Sequence, residues 1–484
     1  MSNEVRALSP KEVWNKFADL NAVPRASKKE EQVIRFIMDF GKKLNLQTYK
    51  DEVGNVIIKK PATAGMENKI TVALQSHLDM VHQKNANTDF DFATQGIDMF
   101  VEDDWVKAKG TTLGADNGIG VASIMAILAS NDIQHPAIEA LFTIDEETGM
   151  TGALGLKGGL MDATIMLNLD TEDDHELTIG CAGGIDVSVS GNYETEKCPA
   201  GLTPFRISIA GLTGGHSGMD IHKGRGNSNK LMNRILLEAV GKFGLRIHSV
   251  DGGGLRNAIP RESFADIVVP TKNEAAFKTF LHEHPIKKEY QSTDPNLSLS
   301  IVNMDAIPTV LSLDFQYKIL RSIHACPNGI YRMSPDITGL VQTSNNTARV
   351  LIKDGGYSIL CLTRSAVDSE KMDLANTITS VFELAGATIG FGGSYPGWTP
   401  NPNAFIVKLM SDLYKERYKA NAAVSACHAG LECGIIGKNY PAMQMISFGP
   451  NILGAHSPDE KVQVSSVQKY WEFLLETLKR IPNK

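Results

Sequence analysis

A chain of 484 residues exceeds what one hydrophobic core organises, so two domains are expected. Its composition, 42% hydrophobic and 21% charged, is that of an ordinary globular protein, and a net charge of -7 argues against nonspecific binding to nucleic acid. No run of about 18 apolar residues is present, which excludes a helical membrane span. The polar start Met1-Ser2-Asn3-Glu4-Val5-Arg6 lacks the apolar stretch of a signal peptide. The six cysteines are scattered with no CxxC pair, and the expectation is a reduced, cytoplasmic protein.

In chain order, Ser9-Pro10-Lys11-Glu12 opens a helix. Ser27 and Glu30 have capping-box spacing before Val33, Ile34, Ile37 and Phe40. Residues 51–60 read as a hairpin around Val53-Gly54-Asn55. Three apolar runs then end in ionisable residues: 70–74 leads to His77 and Asp79, 138–144 to Asp145-Glu146-Glu147, and 164–169 to Asp170. Helix-like stretches lie between them, which is an α/β signature. After about Gly183 the pattern alternates with period two, as in 185–190 and 205–209, the mark of half-exposed strands. Helices are predicted at 229–241, 274–284, 314–324 and 369–384, with strands at 265–269, 297–302, 349–352 and 357–362 between them. A turn-rich segment, 392–402, ends this α+β region. A helix at 404–414, a strand at 443–448 and a final helix at 464–478 return to α/β character, with Ala455-His456-Ser457-Pro458-Asp459-Glu460 among them.

Carboxylates at strand ends cannot pack in a core, because burying unpaired charge costs several kcal/mol. They face water, a cation or a bound group. In open α/β sheets, ligand sites form beyond the carboxyl ends of strands. Two histidines and three carboxylates suit a divalent ion such as zinc in a two-metal hydrolytic centre. The glycine-rich turn Gly114-Ala115-Asp116-Asn117-Gly118-Ile119-Gly120 is a poor phosphate cradle: it lacks G-x-G-x-x-G spacing, and Asp116 would repel a phosphate.

This ordered set resembles the dinuclear zinc peptidases of the M20 type, and among them the bacterial aminoacyl-histidine (Xaa-His) dipeptidase branch. The likeness covers essentially the whole chain and extends to His216 in Gly214-Gly215-His216-Ser217-Gly218 and to His428-Ala429-Gly430-Leu431-Glu432. It implies an α/β, zinc-peptidase-like catalytic domain with a mixed sheet between helices, in residues 1–186 and 402–484. An α+β lid domain, 187–401, splits it; that segment is roughly twice the length of one small βαββαβ unit, so two tandem units are allowed. By the same resemblance Asp116 bridges two divalent ions, most simply Zn2+, with Co2+ or Mn2+ compatible. His77 and Asp170 complete one ion and Glu147 and His456 the other. A water between the ions attacks, Glu146 is the general base, and Asp79 orients His77. A cis Asp116–Asn117 peptide is also implied.

In the inserted segment, His216 is expected to hydrogen-bond the oxyanion, and Asn257 and Arg364 to hold the substrate and its terminal carboxylate. His428 and Glu432, four apart, have the spacing of a shared helix face and would line or support the substrate pocket. The expected activity is hydrolysis of unblocked dipeptides, Xaa-His such as β-alanyl-histidine preferred, with a dipeptide as partner, no nucleic acid or membrane, and a homodimer left open. An aminoacylase or broader di/tripeptidase shares all the metal residues and stays open, as does a non-catalytic metal-binding protein, against which the intact Glu146 argues.

Overall fold

The computed structural model describes residues 3–484; Met1 and Ser2 of the polar start lie outside the described residues. Pro10 precedes helix α1 (Lys11–Leu20), which buries Val13, Trp14, Phe17 and Leu20. The expected capping box before α2 (Glu31–Lys43) does not form. Lys28 is left-handed, Glu30 Oε1 accepts its N–H at 2.8 Å, and the Ser27 hydroxyl is used on Asp79 instead. The Asp51 carboxylate accepts the N–H groups of Val53, Gly54 and Asn55. That turn closes a hairpin of β1 (Gln47–Lys50) and β2 (Val56–Lys60), so the first strand lies earlier than the sequence suggested.

The chain continues through β3 (Val72–His77), α3 (Ala115–Ala129), β4 (Ile138–Thr143), β5 (Ile165–Asn168) and β6 (Glu176–Cys181). It then forms β7 (Gly183–Asn192), β8 (Leu202–Ala210), α4 (Ser228–Phe243), β9 (Arg246–Gly253), β10 (Ser263–Pro270), α5 (Glu274–His282) and β11 (Ser298–Asn303). Next come α6 (Leu313–Ala325), β12 (Val341–Lys353), β13 (Gly356–Ser365), α7 (Asp368–Glu383) and β14 (Thr388–Tyr395). It closes with α8 (Phe405–Tyr418), β15 (Ala423–Cys427), α9 (Glu432–Asn439), β16 (Gln444–Ser447) and α10 (Val464–Arg480). Two compact units result: Met1–Gly180 with Pro400–Ala426 and Leu431–Lys484, and Cys181–Thr399 with Cys427–Gly430. The division falls at Gly180, six residues before the sequence-based limit, because β7 already belongs to the second sheet. The run Cys427–Gly430 goes with the second unit.

The first unit is built on an eight-stranded mixed sheet in the order β1-β2-β4-β3-β5-β16-β6-β15. Its centre is parallel: β3 runs with β4 and β5, and β5 with β16. Every residue of β3, β4 and β5 is buried, as expected of parallel strands covered on both faces. Helix α3 packs on β3 and α1 and is apolar around most of its circumference, so it too is buried. A small four-stranded sheet, unseen in the sequence, joins Met99–Glu102 and Trp105–Ala108 to the hairpin of Ile452–Leu453 and Lys461–Gln463. Its turn contains His456. Among the described residues no helix is long and apolar enough to cross a membrane.

The second unit holds two βαββαβ motifs in one sheet, ordered β11-β8-β10-β9-β12-β13-β7-β14. The motif β8-α4-β9-β10-α5-β11 and the motif β7-α6-β12-β13-α7-β14 meet edge to edge through antiparallel β9 and β12. They are nested and not tandem: β7 is laid down first, the whole of the other motif follows, and only then does the chain resume at α6. One face carries a single core, including Val187, Phe205, Ile235, Ile267, Phe277, Ile319, Ile359 and Phe382. The period-two alternation of β7 and β8 reflects that one-sided burial.

Candidate metal centre

Because β3, β4 and β5 are parallel, their carboxyl ends share one edge. His77 is the last residue of β3, Asp145-Glu146-Glu147 follow β4, and Asp170 follows β5. Asp116 lies in the first turn of α3, whose Asp116–Asn117 peptide is cis, as the resemblance implied. His456 comes from the turn of the small sheet. The five residues converge. His77 Nε2 is 3.2 Å from Asp116 Oδ1 and 3.4 Å from Asp170 Oδ1. His456 Nε2 is 3.2 Å from Asp116 Oδ2 and 2.9 Å from Glu147 Oε2. Asp116 thus directs one oxygen to each of two triads, and within each triad the donor atoms lie within 4.8 Å of one another. Glu146 forms a further such group with His77 and Glu147, one donor atom of each lying within 4.8 Å of the others.

The donor set fits divalent cations. It consists of imidazole nitrogens and carboxylate oxygens at strand ends, and Glu147 Oε1 is buried without a hydrogen-bond partner. The titration behaviour shows the same demand for positive charge. Hydrogen bonds to Asp116 and Glu147 push His456 up to about 11. Burial opposes a charge on His77, but Asp170 and Asp116 outweigh it and hold the ring well above its usual range. Burial, then the neighbouring Asp170, Glu432 and Glu147, raise the Glu146 carboxyl well above the ordinary carboxylate range. Glu147 is raised as well, first by burial. Burial also works against the Asp116 charge, yet hydrogen bonds from His456 and His77 keep it ionised.

Asp79 is fully buried. Its Oδ1 is 3.3 Å from His77 Nδ1 and accepts the Glu146 N–H at 3.0 Å. Its Oδ2 accepts the Glu147 N–H at 3.3 Å and the Ser27 hydroxyl at 2.8 Å. One carboxylate therefore ties the β3 end to the Glu146–Glu147 turn. Sequence reasoning missed three further members of this layer. Ser27 was read as a helix cap. Arg25 donates to Leu78 O, Asp79 O and Gly114 O from full burial. Glu460, although part of the quoted His456 motif, was given no role; its carboxylate accepts four backbone N–H groups at Leu113–Asp116. Only Glu460 left a signal, an acidic residue one turn's length beyond His456.

The other predicted residues fall as follows. Glu432 is in the first unit and 1% exposed; its Oε2 accepts from Gln75 Nε2 at 2.7 Å and Thr143 Oγ1 at 2.6 Å, and its Oε1 has no partner. Burial raises it to about 8. His428 is in the second unit, where its Nε2 meets Ser344 Oγ at 2.7 Å. Burial, with Arg364, drives it down to about 3, so the ring is neutral. The expected shared helix face is therefore wrong. Leu431 is extended, α9 begins only at Glu432, and the two side chains belong to different units.

His216 accepts the N–H groups of Met219 at 3.0 Å and Gly218 at 3.3 Å on Nδ1. A nitrogen that accepts carries no proton, so the neutral ring bears its N–H on Nε2. Burial, then Arg364, lowers its pKa and favours that neutral form. Arg364 Nη2 lies 3.5 Å from this Nε2. In that tautomer both atoms are donors, and the two can serve one acceptor. Arg364 is 5% exposed, held by Tyr395 Oη at 2.8 Å, and its Nε has no partner. Asn257 is exposed; its backbone carbonyl accepts the Ser217 N–H at 2.7 Å.

These features define a peptidase-like centre, and the profile of peptidase family M20/M25/M40 matches residues 73–480. The chain belongs to that family. It is 42% identical, over all 484 residues and the whole of the other protein, to the cytosol non-specific dipeptidase of Escherichia coli (strain K12). The crystal structure of aminoacylhistidine dipeptidase from Vibrio alginolyticus matches with a TM-score of 0.94 and 42% identity, covering 100% of this chain and 99% of that one. An aminopeptidase from Bacillus cereus, 16% identical over 98% of this chain and 99% of its own, shares the fold with a TM-score of 0.57.

Proposed function

We propose that this chain is a cytosolic two-metal dipeptidase that hydrolyses unblocked dipeptides, preferring a C-terminal histidine. The observation that carries the reading is Asp116, whose two oxygens face two separate ligand triads. His77, Asp116 and Asp170 would hold one ion, and Asp116, Glu147 and His456 the other. Zinc suits this mixture of imidazole and carboxylate, and cobalt or manganese would also fit. Bound there, two ions would polarise the scissile carbonyl and lower the pKa of an attacking water.

The chain's own groups do the rest. Glu146 takes a proton on its carboxylate from the attacking water and returns it to the leaving amine. Asp79 holds the His77 ring and the Glu146–Glu147 backbone in register. His216 donates from Nε2 to the developing oxyanion, and Arg364 pairs with the free terminal carboxylate, with Asn257 and His428 beside the substrate. The full-length likeness to dipeptidases in Escherichia coli and Vibrio alginolyticus supports dipeptides as the substrate class. The cytosolic description of the first supports the location. The two names differ in breadth, one non-specific and one aminoacylhistidine. A panel of Xaa-His dipeptides, other dipeptides, tripeptides and N-acetyl amino acids, assayed with added metal, tests the proposal. Fastest turnover of Xaa-His dipeptides is expected; preference for N-acetyl amino acids or tripeptides would overturn it.

A further inference from the structure

We propose that Glu460 is a positioning residue for the metal centre, fixing Asp116 relative to His456. The inference rests on the two-metal reading above. Glu460 is 2% exposed, and both oxygens are fully engaged. Oε2 accepts the N–H groups of Leu113 at 2.8 Å and Gly114 at 2.9 Å, and Oε1 those of Ala115 at 2.7 Å and Asp116 at 3.2 Å. Four consecutive amides, ending on Asp116 itself, are thus gathered by one carboxylate. Glu460 and His456 share the turn between Ile452–Leu453 and Lys461–Gln463, whose pairing fixes the turn's two ends. The two loops that supply Asp116 and His456 are far apart in sequence, and Glu460 fastens one to the other.

The same loop is held from its other side. Arg25 donates to the Gly114 carbonyl, and also to Leu78 O and Asp79 O at 3.1 Å each. Gly114 is left-handed at φ 69°, and a Cβ there would lie 2.5 Å from Arg25 Nη2 and 2.8 Å from Met80 Sδ. The peptide at Gly114 is therefore clamped between Arg25 on its C=O and Glu460 on its N–H.

The two triads depend on this clamp unequally. In the triad of His77, Asp116 and Asp170, two ligands stand on the ends of β3 and β5, independent of Glu460. In the triad of Asp116, Glu147 and His456, two of the three ligands are set by the loops that Glu460 joins. Glu460→Gln keeps the size of the side chain but leaves a single acceptor oxygen. Its amide N–H2 would then face backbone donors. The expected consequence is selective weakening of the ion held by His456.

The test uses wild type, Glu460→Gln and Glu460→Asp, stripped with a chelator and titrated with Co2+. Calorimetry and visible absorption follow uptake, and circular dichroism melts follow the metal-free forms. Wild type should take up two ions. Glu460→Gln should bind one with near wild-type affinity and the other about 10–100-fold more weakly, with an altered cobalt spectrum. Glu460→Asp, which keeps the charge on a shorter stem, should fall between them, and serves as the comparison if the Gln variant fails to fold. Wild-type uptake of both ions by the variants, or equal weakening of both, overturns the proposal. A wild-type chain that binds fewer than two ions instead overturns the metal reading, and this proposal with it.

Discussion

Glu146 and Glu147 are adjacent and chemically alike, yet they are assigned different work. Exchanging each for Gln removes one negative charge at constant size. Glu147 Oε2 is 2.9 Å from His456 Nε2, and its Oε1 is buried without a partner, the situation of a ligand. Glu146 and Glu147 sit in one turn and both donate their N–H to Asp79; the Glu146 carboxyl makes no ion pair with His456 and is the one assigned to the attacking water. Loss of a general base typically costs 10²–10⁴ in rate, about 2.7–5.4 kcal/mol at 1.36 kcal/mol per decade. Glu146→Gln should therefore keep two ions and bind dipeptide but lose turnover by about that factor. Glu147→Gln should lose occupancy of one ion, by more than the about 10–100-fold that an outer partner contributes, and excess metal should restore part of its activity. Initial rates on a Xaa-His dipeptide, with metal content measured on the same samples, decide between them. Because the Glu146 carboxyl also lies within 4.8 Å of His77 and Glu147, a reversed outcome is a concrete alternative. If the Glu146 variant is the metal-poor one, the assignment is wrong. If neither variant loses turnover, the hydrolytic reading fails.

Three more outcomes follow from the same geometry. His216→Ala should lower kcat by about 10²-fold, as loss of one oxyanion donor does, in a protein whose melt is unchanged; an unchanged kcat would remove His216 from the mechanism. Arg364→Ala should raise KM steeply for a dipeptide but little for its C-terminal amide, and equal losses on both would mark a structural role. Glu432, neutral up to about pH 8 in the fold and ionised from about pH 4.5 in an unfolded chain, stabilises the fold fully only at low pH. That contribution is lost as pH rises from about 4.5 to 8, so Glu432→Gln should flatten the fall in Tm over this window in chelator-treated protein; parallel wild-type and variant curves would refute it.

Part of the candidate metal site was legible because charge interrupts apolar runs; the places of Asp116 and His456 in it came from the family resemblance. His77, Glu147 and Asp170 each stand where a buried strand stops, and parallel pairing brings such ends to one edge. What was not legible acts through backbone amides or long-range pairing. Glu460 matters because folding sets it against the amides of Leu113–Asp116, more than 340 residues away along the chain. Arg25 likewise acts only on carbonyls gathered by the fold, and Ser27 fitted a local capping pattern that lost to the demand of buried Asp79 for donors. The nesting of the two βαββαβ motifs depends on β7 pairing with β13 and β14, strands separated from it by the whole of the other motif. No local pattern encodes that order. The spacing of His428 and Glu432 misled for a local reason: Leu431 is extended at φ -137°, so a four-residue interval did not mean a helical turn.

The central claim is that Asp116 serves two ions at once, and it is tested most directly by equilibrium dialysis of wild type and Asp116→Asn against Co2+. The shared carboxylate predicts two ions per wild-type chain and loss of affinity at both positions from this single substitution. Retention of two ions by Asp116→Asn, or loss of one with the other bound as tightly as before, would contradict it.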